Sequence, residues 1–176
     1  MKRSLSFWSF AGFVFVSVVG TLLHFLYDWL GQSAVVGVFS AVNESIWEHM
    51  KLLFVSLMLF ALIERRFFGA DRENYWCVKL FSTLAGLLVI PTLYYTYTGA
   101  LGTSADWFNI AIFFIAAALV FWLEGRLLRE GYDCRVPSGV AFAALLVIAG
   151  LFVVFTFRPP HVPLFCDPLD GTYGIQ

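Results

Sequence analysis

Two glutamates, a histidine and a lysine stand at the start of a long apolar run. The stretch "VNESIWEHMK" is followed directly by "LLFVSLMLFALI". On a helix, Glu44, Glu48 and Lys51 recur every three or four residues and share one face, and His49 lies beside them. Carboxylates and imidazoles on adjacent faces are groups that ligate divalent cations and transfer protons in enzymes. The spacing therefore predicts a polar site at this point.

A second set of such residues ends the preceding apolar run. His24 and Asp28 are four residues apart and share a helical face, with Tyr27 alongside. The connection to the next run is short, so we expect the two helices to be antiparallel neighbours. At about 1.5 Å per residue, His24 would lie level with residues 48–51 and Asp28 level with Glu44. We predict one cluster assembled from two helices.

Apolar residues dominate the composition. The 176 residues are 60% hydrophobic and 13% charged, with a net charge of -1 and a mean hydropathy of +0.82. Ordinary globular domains are about half apolar and about a quarter charged. The composition indicates one polytopic membrane domain, residues 1–176, and no basic stripe indicates nucleic-acid binding. Cys77, Cys134 and Cys166 show no paired spacing, so neither a disulfide framework nor a zinc finger is predicted.

Five apolar segments are long enough to cross a bilayer as helices, which takes about 20 residues each. The second has only a dozen uninterrupted apolar residues, so it cannot span without taking Glu48, His49 and Lys51 into the bilayer. Ionisable groups there cost about 2.5–3.5 kcal/mol each, so they are expected to face the bundle, to pair and to serve function. We therefore predict an all-α integral membrane protein with five transmembrane helices. Their approximate bounds are residues 7–30, 45–65, 76–97, 107–126 and 136–157.

Basic residues orient the chain. Cytoplasmic loops carry an excess of Lys and Arg, which predicts a cytoplasmic N-terminus, an external C-terminus and an external tail at residues 158–176. All three histidines then lie in the outer half, together with the acidic residues of both sets. The nine basic residues assigned to the cytoplasmic side are Lys2, Arg3, Arg65, Arg66, Arg72, Lys79, Arg126, Arg129 and Arg135.

Two segments outside the spans are unusual. The connection "GQSAVVGVFSAV" is too short to cross and too apolar for a solvated loop, so we predict a re-entrant or interfacial segment that packs on protein. The tail contains four prolines and a "DG" turn and is expected to be irregular. Phe165 and Tyr173 could anchor it over the outer helix ends, which would bring His161 and Asp167 to the site.

Helix electrostatics suggest two local features. Asn43 is a favourable N-cap, and Glu44 in the first turn is favoured by the helix dipole. Asp28 lies at a helix C-terminal end, where a negative charge is unfavourable. It is therefore expected to need a cation nearby, which Lys51, Arg158 or a bound metal would supply.

Three functions fit these residues. In the first, zinc, iron or manganese is bound by His24, His49 and one or two of Asp28, Glu44, Glu48 and His161, with the three histidines as the main metal candidates. A bound water then attacks a lipid or another membrane-delivered substrate. Glu44 and Glu48 supply the catalytic carboxylates. The remaining substrate-binding or network positions are Asp28, Lys51, Asn43, Ser45, Tyr27 and Asp167.

The second function is proton- or ion-coupled transport of a small solute, for which intramembrane Glu, His and Lys are typical. Glu64 and Glu124 are assigned to loop ends, so no acidic route to the cytoplasm is expected, and a one-sided site is favoured. The third is a structural or interaction protein in which Lys51 pairs with Asp28 or Glu48. Enzyme, transporter and structural protein all stay open at this point, as does the oligomeric state.

Three stretches together resemble a known family. "HFLYDW", "VNESIWEHMK" and "PPHVPLFCDPLDGTYGI" are similar to an uncharacterised family of small five-helix bacterial membrane proteins, a domain of unknown function. The resemblance covers nearly the whole chain and implies a multi-pass protein of the bacterial cell membrane, without implying an activity. The positions that match the family pattern are His24, Tyr27, Trp29, Asn43, Glu44, Ser45, Trp47, Glu48, His49, Lys51, His161, Asp167 and Gly174.

Overall fold

Helices make up nearly all of the regular structure. The computed structural model describes residues 2–69 and 72–175, and these contain helices and one isolated β-bridge but no strand. The predicted all-α class is confirmed. The helices are α1 (Lys2–Trp29), α2 (Ala34–Gly37), α3 (Ile46–Glu64), α4 (Tyr75–Leu101), α5 (Asp106–Glu130) and α6 (Ser138–Phe157), with a π-helical turn at Arg65–Gly69 and a 3-10 turn at Pro163–Phe165.

Five of these helices, all except α2, are long and apolar enough to cross a membrane. Their outward-facing side chains are apolar, for example Phe10, Leu88 and Val147, which are all more than half exposed. Such a surface is unfavourable in water but matches the hydrocarbon of a bilayer, where apolar burial does not drive helix association. Length and surface therefore support a multi-pass membrane protein.

Helix α3 lies at the centre of the bundle. It contacts α1, α4, α5 and α6, while α4 packs on both α5 and α6. The C-terminal end of α1 meets the N-terminal end of α3, as expected for antiparallel neighbours. We call this end of the bundle, which carries His24 and His49, the histidine end. The opposite end, which carries Arg65 and Arg126, is called the arginine end.

A buried ion network joins α3, α4 and α5 at the arginine end. The Lys79 ammonium lies 2.7 Å from a carboxylate oxygen of Glu64 and 2.7 Å from one of Glu124. The Tyr75 hydroxyl donates to Glu64 at 3.0 Å, and the Ser82 hydroxyl donates to Glu124 at 3.1 Å. The assignment of the two glutamates to loop ends is wrong, because both α3, through its π-helical turn, and α5 continue for more than a turn beyond them. Lys79 likewise lies inside the bundle and not in a loop.

Cys77 of α4 and Cys134 in the connection between α5 and α6 form a close cysteine pair. Their Cα atoms are 6.4 Å apart, which suits a disulfide. The sequence did not predict this pair, because the two cysteines have no paired spacing. The two residues are separated by 57 positions, and the packing of α4 against α5 brings them together. Cys166 is free.

We predict that the variant Lys79→Met lowers the free energy of unfolding by about 3–5 kcal/mol, because it leaves two buried carboxylates without a cation. Arg126→Met is the matched control. Arg126 pairs with Glu130 at 3.0 Å on the surface, where an ion pair contributes about 0–1 kcal/mol. Unfolding in mixed detergent micelles, followed by circular dichroism of the helices, measures both variants. Equal losses would contradict a stabilising role for the buried network.

Candidate functional site

Two histidines and one glutamate converge at the histidine end. One carboxylate oxygen of Glu44 lies 3.6 Å from Nε2 of His24 and 3.5 Å from Nε2 of His49. The centroids of the two imidazole rings are 5.5 Å apart. One ligand atom from each residue lies within 4.8 Å of the other two, and all three residues are half-buried. We call these three residues the His/Glu cluster.

A cavity of about 410 Å³ opens beside the His/Glu cluster, whose three residues line it. The tail contributes Pro168 and Leu169, so it covers part of the site. Asp106 was not among the predicted site residues, although it begins α5 at the end of the bundle that carries the histidines. The cavity is also lined by Ile90 and Tyr94 of α4, Ser104 before α5, and Asp106, Asn109 and Phe113 of α5.

The backbone of α3 orients His49. Its Nδ1 lies 2.9 Å from the carbonyl oxygen of Ser45, so Nδ1 carries the proton that it donates. In the neutral imidazole, Nε2 then presents a lone pair toward Glu44. Two acceptors that face each other at 3.5 Å need a cation or a shared proton between them. Histidines that ligate metals commonly donate their second N–H to a carbonyl in this way.

A serine side chain is inserted into α1 beside His24. The Ser40 hydroxyl accepts a hydrogen bond from the N–H of Tyr27 at 2.9 Å and donates to the carbonyl of Leu23. In a regular helix, that N–H and that carbonyl would bond to each other. Ser40 and Tyr27 are both buried. The connection after α1 is therefore fixed against the helical turn that carries His24.

The tail holds the segment that carries Glu44. The Glu44 N–H donates to one carboxylate oxygen of Asp167 at 2.8 Å, and the N–H of Leu169 donates to the other at 2.7 Å. The Asn43 amide donates to the carbonyl of Gly174 at 3.2 Å. Asn43 and Asp167, which were predicted as network residues, thus act on the site indirectly. They fix the backbone segment that carries the Glu44 side chain.

Helix α3 begins later than predicted. Ser45 is the N-cap, and its hydroxyl accepts a hydrogen bond from the N–H of Glu48 at 3.3 Å. Asn43, the predicted N-cap, instead accepts from the N–H of Ser45 at 3.0 Å. That prediction was wrong because Ser45 and Glu48 have the Ser-x-x-Glu spacing typical of a helix start, which is a stronger signal than a single Asn. Glu44 therefore precedes the helix, and its side chain turns toward the two histidines.

Glu48 and Lys51 form a buried ion pair next to the cluster. Their charged atoms are 2.5 Å apart, and both side chains are almost fully buried. The ammonium also donates to the Gly37 carbonyl and to the Thr156 hydroxyl, both at 2.8 Å. The carboxylate accepts from the Thr156 hydroxyl at 3.3 Å and from the N–H of Val42 at 3.0 Å. The catalytic role of Glu48 stays a prediction, since its described contacts are all to groups of the protein interior.

Two other predicted residues have their contacts outside the His/Glu cluster. The ring of His161 stacks on Tyr173 with centroids 4.6 Å apart. Asp28 is exposed and accepts a hydrogen bond from the Gln32 amide at 3.2 Å. The expected pairing of Asp28 with Lys51 is not formed, because the lysine is held in the buried pair. Water can solvate an exposed carboxylate, so Asp28 does not require a cation.

Hydrogen bonds within the tail and to α6 fix its path. The N–H of Asp167 donates to the carbonyl of Thr172 at 2.9 Å. The hydroxyl and N–H of Thr172 donate to Asp170 and hold the pKa of that carboxyl below its usual value. Gly174 has a φ of +65°, and an added Cβ would lie 2.8 Å from the Thr156 carbonyl oxygen. Glycine is therefore required where the tail crosses α6.

The chain belongs to a family of unknown function, DUF6512, whose model matches residues 1–175. No curated protein and no solved structure matches it. The expected membership of an uncharacterised family, spanning the whole chain, is confirmed. The bacterial source implied by the resemblance stays a prediction.

The buried pair generates a prediction about stability. Lys51→Met is expected to lower the free energy of unfolding by about 3–5 kcal/mol, because the Glu48 carboxylate then stays buried without a cation. The double variant Glu48→Gln/Lys51→Met should recover about half of this loss or more, since no unpaired charge remains. Detergent unfolding of the parent, both single variants and the double variant measures the coupling. A double variant no more stable than Lys51→Met would show that unpaired charge is not the cause.

Proposed function

We propose that this protein, a member of a family of unknown function, binds a divalent cation between His24, Glu44 and His49 and uses it to hydrolyse a lipid or another membrane-delivered substrate. The observation that carries the proposal is the convergence of three ligand atoms within 4.8 Å on the wall of a cavity. Two imidazoles and one carboxylate form the donor set of several zinc hydrolases and of non-haem iron sites. Zinc, iron and manganese are the candidate metals.

The distances support a shared ion. Zinc binds imidazole nitrogen and carboxylate oxygen at about 2.0–2.2 Å in a tetrahedral arrangement, so two ligands of one ion lie roughly 3.4 Å apart. The Glu44 oxygen lies 3.6 and 3.5 Å from the two Nε2 atoms. Side-chain rotations of these half-buried groups would complete a three-ligand set. The cavity side would keep the fourth position for water.

Hydrolysis needs an activated water and a proton acceptor. A bound divalent cation brings the pKa of its water into the neutral range. Asp106 lines the same cavity, and we assign it the role of accepting the proton of the attacking water. Glu44 would remain a ligand. In this proposal Glu48 contributes by holding Lys51 and the backbone just before the cluster.

The proposed site faces the outside of the cell. The Lys and Arg residues of the connections lie at the arginine end, which the positive-inside rule assigns to the cytoplasm. The histidine end and the tail would then be external. Substrates would come from the lipid layer or from the external water.

Proton- or ion-coupled transport is the second candidate function. Glu64 and Glu124, on either side of the buried Lys79, place carboxylates inside the bundle at the arginine end. A one-sided site was expected because no acidic group was predicted inside the bundle at that end. Intramembrane carboxylate and lysine networks are typical of proton relays. The third candidate is a structural role. The Glu48–Lys51 pair supports it for the buried part of the network, because both side chains are fully hydrogen-bonded within the protein.

We predict that the purified protein contains about one zinc, iron or manganese ion per chain and that His49→Ala loses it, because one of three ligands is removed. His161→Ala is the matched control, since its ring stacks on Tyr173 and is not in the cluster. Elemental analysis of the three detergent-purified proteins measures the metal. Equal metal content in the two variants would contradict the ligand assignment.

Absence of metal from the parent protein, even after zinc, iron and manganese are added back, would overturn the hydrolase proposal. Proton-coupled transport in liposomes would then be tested with Lys79→Met. A loss of proton flux in that variant, with the fold retained, would favour the transporter.

The orientation makes a separate prediction. In a Cys166→Ser background, a cysteine introduced at the exposed Asp170 should react with a membrane-impermeant maleimide added to intact cells. A cysteine introduced at the exposed Glu130 should react only after the membrane is opened, because it lies at the arginine end. Gel-shift labelling measures both reactions. The reverse pattern would place the His/Glu cluster on the cytoplasmic side.

A further inference from the structure

A second, smaller cavity of about 150 Å³ lies between α1 and α5. Its walls include Gly20, Thr21 and Phe25 of α1 and Ile110 and Phe114 of α5. Apart from the threonine hydroxyl, which bonds the Ser17 carbonyl within its own helix, these walls are apolar. We call this cavity the lateral groove.

The lateral groove meets the larger cavity at the two histidines. His24, His49, Asn109, Ile110 and Phe113 line both spaces. A single molecule that fills both must therefore carry a polar part beside the His/Glu cluster and an apolar part between the helices. A polar, water-soluble solute would gain no favourable contacts in the apolar lateral groove.

The lateral groove runs along the membrane normal, as the acyl chain of a lipid does. Gly20 and Thr21 precede His24 by four and three residues, so they lie about 4.5–6 Å deeper in the membrane than the histidine. Phe113 likewise follows Asn109 by one turn, and α5 enters the bundle from the histidine end. The groove therefore runs from the cluster toward the middle of the bilayer.

Gly20 allows α1 to pack closely on Phe113 of α5 at the wall of the lateral groove. A Cβ added to Gly20 would lie 2.3 Å from a ring carbon of Phe113, so the ring occupies the space of the missing side chain. Phe25 and Ile110 are 46% and 58% exposed. Because they lie on membrane-spanning helices, the groove opens sideways to the hydrocarbon and not to water.

We propose that the lateral groove binds the acyl chain of a membrane lipid whose ester carbonyl lies at the His/Glu cluster. This proposal rests on the proposed function and names its substrate class. The oxygen of the attacking water bonds to the carbonyl carbon, and its proton passes to Asp106. The bond from that carbon to the alcohol oxygen then breaks, and Asp106 returns the proton to the alcohol. One ester and one water give one fatty acid and one alcohol, and the alcohol leaves through the larger cavity.

The test fills the lateral groove with a side chain. Thr21→Trp places an indole in the groove, whereas Leu22→Trp, the matched control, places the same group on the neighbouring exposed position, which does not line it. Hydrolysis of nitrophenyl acetate and nitrophenyl dodecanoate by each protein is compared in detergent. We expect the parent and Leu22→Trp to prefer the dodecanoate by about tenfold or more in kcat/KM, because only a few buried methylenes are needed for that factor. Thr21→Trp should lose this preference and keep its activity on the acetate.

A binding measurement separates this proposal from the proposed function. A fatty acid with a photoreactive diazirine near its chain end is crosslinked to each protein, and the labelled peptides are mapped by mass spectrometry. We expect label on α1 and α5 beside the lateral groove in the parent and in Leu22→Trp, and little in Thr21→Trp. Such labelling without hydrolysis of either ester, or without bound metal, would overturn the hydrolase and leave the chain-binding groove standing.

Two results would overturn the lateral groove itself. One is hydrolysis of both esters by a metal-containing parent without any preference for the longer chain. The other is equal labelling of Thr21→Trp and Leu22→Trp, which would show that lipid contacts the helices only as part of the surrounding bilayer.

Discussion

The ion pair between Glu48 and Lys51 is the interaction on which the histidine end depends. A charge inside a bundle surrounded by hydrocarbon is stable only when it is paired and its remaining hydrogen-bonding atoms are satisfied. Lys51 meets this requirement by binding the Gly37 carbonyl in the connection after α1 and the Thr156 hydroxyl on α6. Glu48 binds the N–H of Val42, just before the glutamate of the cluster. One buried pair thus ties α3 to the connection after α1, to α6 and to the segment that leads to Glu44.

Burial divides the polar residues of this end into two groups. The side chains of Glu48 and Lys51 are 2% and 0% exposed, whereas those of His24, His49 and Glu44 are 29%, 19% and 39% exposed. The first group is fully engaged with the protein and serves the fold. The second group faces a cavity, so its two imidazoles and one carboxylate are free to bind a ligand that enters the cavity. Neighbouring ionisable residues of α3, such as Glu48 and His49, therefore serve different purposes.

The membrane environment explains why polar groups are gathered inside and glycines lie between helices. At the arginine end Lys79 is enclosed by two carboxylates. Both ends of the bundle therefore have paired charges inside and apolar side chains outside. Without a hydrophobic force between helices, close contact relies on small residues such as Gly12 and Gly20, against which aromatic rings of α5 pack. Where this packing of α1 on α5 is incomplete, the apolar space beside the His/Glu cluster is open to lipid.

Local properties of the sequence were sufficient for the five helices and for bringing His24 and His49 to the same end of two neighbouring helices. Hydropathy and helical spacing depend on neighbouring residues, and a short connection forces the two helices together. Other features depended on the tertiary structure. Glu44 reaches the histidines because its backbone is held by Asp167, 123 positions away, and Cys77 meets Cys134 through the packing of two helices. A side chain's direction and burial are set by partners that are distant in sequence, and no local pattern contains that information.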